Sequence, residues 1–221
     1  MRQLILDTET TGLDPVQGHK IIELAMLEMV DRRLTGNKFH LYFNPQREIP
    51  TEATAVHGIT NRDLENAPLF EDKIEEIITF ITGADLIIHN AKFDLKFLNH
   101  HFSSANHLPI EKHINQVIDS LSIARKKFMG AKNNLNALCD RFKISRINRE
   151  YHGALIDCEL LAEVYLQLTK EQMKLIDHPT ETNSKQKFTN YSTNAISAAT
   201  ITDHEMEEHK KYIAKFKLAT F

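Results

Sequence analysis

Apolar and polar positions follow two rhythms along this chain. Residues 2–6 form a short apolar run that stops at polar Asp7-Thr8-Glu9-Thr10-Thr11-Gly12, the pattern of a buried strand opening into a loop. Residues 21–30 (IIELAMLEMV) and 38–43 (KFHLYF) read as two further strands. Turn formers within Arg32-Arg33-Leu34-Thr35-Gly36-Asn37, between those two runs, predict an antiparallel hairpin. The rhythm then changes. Ile74, Ile77, Ile78 and Ile81 recur at helical spacing within residues 71–82, and Gly83 follows as a stop. Residues 84–88 predict a short buried strand. Asn90 stands where an N-cap belongs for a helix over about 91–102, which carries Phe93, Phe97, Leu98 and Phe102. A strand is predicted at 116–119, with helices near 120–128, 133–142 and 154–169. Strands come first as a meander and then alternate with helices, so the expected class is α/β with a mixed central β-sheet.

Near residue 177 the pattern stops. Residues 178–202 are rich in Thr, Asn and Ser and carry few large apolar side chains, the composition of a flexible linker. Thr202 with Glu205 three positions on is a capping-box pattern, and Met206, Tyr212, Ile213 and Phe216 follow as a possible apolar stripe. The expected division is a domain over 1–176, a linker over 177–202 and a C-terminal segment over 203–221.

Composition narrows the choice of chemistry. The 221 residues carry a formal net charge of −3, so bulk positive charge is not what would hold a nucleic acid here. A chain of this balance that acts on DNA needs cations at the site and a partner to hold the strand. Cys139 and Cys158 stand apart from each other and from any His/Cys spacing that suits zinc, so reduced buried thiols are expected. The run Leu4-Ile5-Leu6 is too short for a signal-peptide core, and no apolar run approaches the ~20 residues of a membrane span. The expectation is a soluble cytoplasmic protein.

Four acids stand out by context. Asp7 and Glu9 lie two apart at the end of a strand, so their carboxylates project from one face. Asp94 and Asp157 each fall in the first turn of a predicted helix, after His89-Asn90-Ala91-Lys92-Phe93 and His152-Gly153-Ala154-Leu155-Ile156. Singly, a strand-end D-x-E is a solvated edge, and a first-turn acid is a favourable charge on the helix dipole. Together, four carboxylates repel one another unless a cation sits among them, and such hard oxygen ligands suit Mg²⁺ or Mn²⁺. Paired metals of this kind serve phosphoryl transfer. His152 is expected in the loop ahead of the last helix, with Gly153 as a joint. There it titrates in the range a general base needs.

The motifs D-T-E-T-T-G at 7–12, H-N-A-x-F-D at 89–94 and H-G-A-L-x-D at 152–157 resemble, in order, the three motifs of the DEDDh exonucleases. The resemblance runs through about residues 1–170. It is strongest to those members that serve as proofreading subunits of bacterial replicative DNA polymerases. It implies an RNase H-like exonuclease fold with helices flanking the sheet. Asp7, Glu9, Asp94 and Asp157 would bind two divalent metals, and His152 would be the general base. Asp7, Glu9, Thr10, Gly12, Leu13, Val56, His57, Phe93 and Asp157 would meet a frayed or single-stranded DNA 3′ end. The same resemblance implies partners: the catalytic subunit of the replicative polymerase on the C-terminal segment, a sliding clamp, and a small third core subunit. The clamp motif of such proteins ends in an aromatic residue. Here the corresponding stretch offers Gln172, Met173, Leu175 and Ile176 without one.

Two other readings compete. A free-standing DEDDh ribonuclease or DNA repair exonuclease has no use for a polar linker followed by an amphipathic segment. A non-catalytic adaptor has no use for the full set of clustered acids.

Overall fold

The computed structural model describes residues 1–147 and 151–170. The expected linker, the C-terminal segment, and Gln172, Met173, Leu175 and Ile176 lie outside the described residues. Five strands form one mixed sheet: β1 (Arg2–Thr10), β2 (Ile21–Val30), β3 (Arg33–Tyr42), β4 (Asp85–Ile88) and β5 (Gln116–Asp119). Their order is β3-β2-β1-β4-β5, with β1–β2 and β2–β3 antiparallel and β1–β4 and β4–β5 parallel.

The period-2 alternation of β1 feeds two cores. Leu4 and Leu6 face one side, with Leu24 and Met26 of β2. There they pack on α2 (Ile74–Ile81) and α3 (Ala91–Ser104) through Ile74, Ile77, Phe97 and Leu98. Ile5 faces the other side, with Ala25, Leu27 and Met29. This side is covered by α6 (Ala154–Leu168) through Ala154, Cys158, Leu161 and Tyr165. Because both faces are covered, β2 and β4 are buried almost throughout, which is why they read as continuous apolar runs. Each side chain lost from water in this way contributes about 1.5–3 kcal/mol. A third cluster packs α4 (Ser120–Lys127) and α5 (Leu135–Phe142) on the outer side of α6 through Ala124, Leu138 and Val164.

Three local expectations need correction. The hairpin turn is tighter than the sequence signals suggested: Asp31 and Arg32 alone make it, both with left-handed backbone (φ 48° and 65°). Leu34-Thr35-Gly36-Asn37 therefore belong to β3, and a register shift opposite Leu27 and Met29 absorbs them, with Gly36 at φ 88°. The helix expected over 71–82 is a 3₁₀ turn at Glu71–Lys73 followed by α2. Asn90 does occupy the N-cap position, but in left-handed conformation (φ 69°) and with no side-chain capping bond. Its backbone N–H instead donates to Asp119 Oδ1 at 3.2 Å.

One helix was not expected: α1 (Thr51–His57), which ends at Gly58 with φ 73°. Helix α6 is tied at its far end by the hairpin turn. The Arg32 guanidinium donates to Thr169 Oγ1 at 2.8 Å and to Leu166 O at 2.9 Å. A cation there also favours the negative end of the helix dipole. Cys139 and Cys158 are both buried. No helix among the described residues is long and apolar enough to cross a membrane.

Candidate active site

Strand β1 outruns its parallel neighbour. Its pairing with β4 ends at Leu6–Ile88, while its pairing with β2 continues to Thr10. Asp7 to Thr10 therefore have no strand on one side, and a cleft opens there between the N-termini of α3 and α6. This is the carboxyl edge of the parallel strands, where open α/β sheets place their ligands.

Four separate elements deliver the groups. Asp7 and Glu9 come from β1, Asp94 from the first turn of α3, Asp157 from the first turn of α6, and His152 from the segment ahead of it. One ligand atom each of Glu9, His152 and Asp157 lies within 4.8 Å of the other two. His152 Nδ1 is 3.5 Å from Asp157 Oδ2; the imidazole is 45% exposed and the carboxylate 6%. The sequence put His152 in the loop ahead of α6, able to swing over the acids as a proton acceptor; the structure has it beside Glu9 and Asp157. Its segment is held at its backbone, where His152 N–H donates to Val56 O at 3.0 Å. Gly153 is extended (φ −150°), a conformation open to any residue, and a Cβ there would meet only ordinary contact.

The electrostatics are those of crowded acids. Burial, followed by repulsion from Asp94, Glu9, Asp157 and Glu23, raises the Asp7 carboxyl well above its ordinary range. Burial pushes the Asp94 carboxyl up to about 7, against the hydrogen bonds from Thr8 that favour its charged form. Thr8 Oγ1 donates to Asp94 Oδ1 at 2.6 Å. A divalent cation would relieve this repulsion, and clustered carboxylate oxygens are a donor set that fits Mg²⁺ or Mn²⁺.

A second cavity, of about 630 Å³, has Glu9 in its lining and not Asp157. It is lined by Thr10, Gly12, Leu13, Val56, His57 and Phe93, all named from the sequence. Leu13 is 82% exposed and Val56 49%, so ordinary core packing does not explain them. Phe93 packs against Phe97 with the rings tilted by 48° and their centroids 5.1 Å apart. Thr10 Oγ1 donates to Gly12 O at 2.6 Å and fixes the turn below Leu13. His57 is buried; its Nδ1 accepts from Ile59 N–H at 3.0 Å, and its Nε2 has no hydrogen-bond partner among the described residues. Glu52 and His19 also line this cavity and escaped the sequence reading. Glu52 sits one helical turn before Val56, a spacing that signals a shared face once α1 is known.

Comparison with known proteins shows the family. Residues 4–165 match the exonuclease family model. The chain is 45% identical over 222 residues to DNA polymerase III subunit epsilon of Rickettsia felis, covering 97% of this chain and 96% of that one. It is 46% identical over 179 residues to DNA polymerase III subunit epsilon of Escherichia coli, covering 79% of this chain and 74% of that one. Its fold is similar to that of the nuclease domain of 3′hExo, a DEDDh family member, with a TM-score of 0.64 at 18% identity, covering 76% of this chain and 90% of that one. The chain therefore belongs to the exonuclease family and, within it, to the epsilon subunits of DNA polymerase III.

Proposed function

We propose that Asp7, Glu9, Asp94 and Asp157 hold two divalent cations, Mg²⁺ or Mn²⁺, and that His152 is the general base that removes 3′-terminal nucleotides. The chain is a DNA 3′→5′ exonuclease, and divalent metals are the cofactor of its family. The observation that carries the assignment of roles is the meeting of Glu9, His152 and Asp157 within 4.8 Å, beside a cleft that exposes Leu13 and Val56.

Bound cations would supply Lewis-acid stabilisation of the charge that develops on the scissile phosphate and the departing 3′ oxygen. The chain's own groups do the rest. Leu13 and Val56 grip the terminal base through its apolar faces, and Phe93 packs beneath the sugar. His152 takes the proton of the attacking water, and Asp157, 3.5 Å away, stabilises the imidazolium that results. The product is a nucleoside 5′-monophosphate. Selection of mispaired ends follows from fraying, because a narrow slot admits a single strand.

Residues 1–176 are the nuclease domain in this reading, 177–202 a linker and 203–221 the segment that binds the polymerase III catalytic subunit. Gln172, Met173, Leu175 and Ile176 are a candidate clamp contact, and the setting is the bacterial cytoplasm.

The deciding experiment measures mononucleotide release from a 3′-labelled primer with a terminal mismatch, in Mg²⁺ and then in EDTA. Wild-type release that EDTA stops, reduced about 10²–10⁴-fold in His152→Ala, is the expected result. Release from RNA alone would replace the substrate, and full activity in His152→Ala would remove the base. A chain ending at residue 178 should keep release and lose the catalytic subunit in pull-down.

A further inference from the structure

Glu23 is the one acid in the first seven residues of β2, all of which are buried and otherwise apolar. It pairs with Glu9 across β1–β2 and with Tyr42 across β2–β3, and it is 2% exposed. An unpaired carboxylate at such a place costs several kcal/mol, so its partners explain why it is there. Oε1 lies 2.8 Å from His40 Nε2. Oε2 accepts from the backbone N–H of Ala154 at 3.0 Å. Ala154 is the first residue of α6, and Gly153 at the N-cap offers no side-chain bond. Glu23 therefore caps α6 from a distant strand, and its negative charge favours the positive end of that helix.

The position of this bond gives it a function. Asp157 follows Ala154 by three residues, in the same first turn. His152 precedes it by two, and its own N–H is fixed on Val56 O at 3.0 Å. One turn further on, Cys158 Sγ donates to Ile5 O and Ala25 O at 3.4 Å each. The segment bearing His152 and Asp157 thus rests on three backbone anchors, and the Glu23–Ala154 bond is the one between the two functional side chains. We propose that Glu23 is a positioning residue: its buried carboxylate, steadied by His40, sets the height and rotation of the first turn of α6 and so the placing of Asp157 and His152 over the scissile bond.

This rests on the reading of His152 and Asp157 as hydrolytic groups, so His152→Ala is measured beside it. Glu23→Gln keeps the reach and one accepting oxygen, and its amide can donate to His40. Glu23→Asp keeps the charge but shortens the reach by about 1.5 Å. A hydrogen-bonding role predicts that Gln retains kcat within about threefold while Asp loses kcat on the order of 10²-fold, as misplacement by an ångström does, with KM unchanged in both. Amide exchange at Ala154 should quicken at least about tenfold in Asp and little in Gln.

The reverse order, with Asp active and Gln inactive, would show that charge at the metals matters and would overturn positioning. So would a loss of activity that tracks only the fraction of folded protein in thermal melts, or protection at Ala154 that is equal in all variants. Full activity in His152→Ala would strike the underlying assignment of the base instead, whatever the Glu23 series shows.

Discussion

Helices α3 and α6 enter the cleft from opposite faces of the sheet, each with an aspartate in its first turn, yet they are held differently. On the α3 side the acid is locked: Asp94 is 3% exposed and takes the Thr8 hydroxyl at 2.6 Å. Two turns on, His101 is 2% exposed, its Nε2 accepts from Ile21 N–H at 3.2 Å, and its Nδ1 faces Glu71 at 2.8 Å. On the α6 side the acid is buried, but its neighbour His152 is 45% exposed, with its backbone N–H on Val56 O and its Nδ1 3.5 Å from Asp157. Under the proposed roles, the difference makes one wall of the site a template and the other the bearer of the group that gains and loses a proton. A base needs solvent and some freedom; a ligand needs neither.

The largest effect should come from the α6 wall. Asp157→Asn should lower mononucleotide release by about 10³-fold, the several kcal/mol that a charge-stabilising ligand contributes. Its melting temperature should stay near that of wild type, since the change relieves repulsion and keeps the shape. A large fall in stability with modest loss of activity would erase the contrast between the walls.

Thr8→Val probes the template. Without the hydroxyl the Asp94 carboxyl loses a bond worth about 1.5–3 kcal/mol to its charged form, so half-saturating Mg²⁺ should rise about tenfold. A titration of activity against Mg²⁺ measures it, and an unchanged midpoint would show that Thr8 does not tune Asp94.

Leu13→Ala should raise KM for a mismatched primer several-fold and leave folding within about 0.5 kcal/mol, because the side chain is 82% exposed. Denaturant melts alongside steady-state rates separate the two, and a stability loss of core size would return Leu13 to the packing residues.

The smallest effect concerns His101 and pH. Burial depresses its imidazole, and Ile21 N–H requires Nε2 to be unprotonated. Lys20 and His100 also disfavour the cation, while Glu71 favours it. The unfolded chain binds this proton more readily, so the stability due to neutral His101 is full above about pH 6.5 and fades as pH falls through the depressed value. The melting-temperature gap between wild type and His101→Gln should therefore narrow by a few degrees from about pH 7.5 to about pH 5. A gap that widens in acid would reverse the assigned tautomer.

Much of the fold was legible because burial imposes rhythm. β2, β5 and α6 stand within a residue or so of where their apolar spacing put them. The acids and His152 were legible because each sits at the end of a strand or start of a helix. What escaped has no rhythm. Helix α1 has few large apolar residues, and its one buried residue is His57. The 3₁₀ turn ahead of α2 is acidic and exposed enough to look like a first helical turn. Glu23 did leave a signal, a lone acid within IIELAML, but a carboxylate that bonds a backbone amide 131 residues away is invisible to any local window. His40 is equally silent, since only the pairing of β2 with β3 brings it near.

Helix α6 is fastened at both ends by one stretch of chain, Glu23 at its start and the turn residue Arg32 at its finish. Its 15 residues span about 22 Å. The backbone thus leaves α6 at the end remote from the cleft, beside the hairpin turn. The two ends of this helix are thereby held about 22 Å apart, so a disturbance at the hairpin turn reaches the cleft only through the whole length of α6.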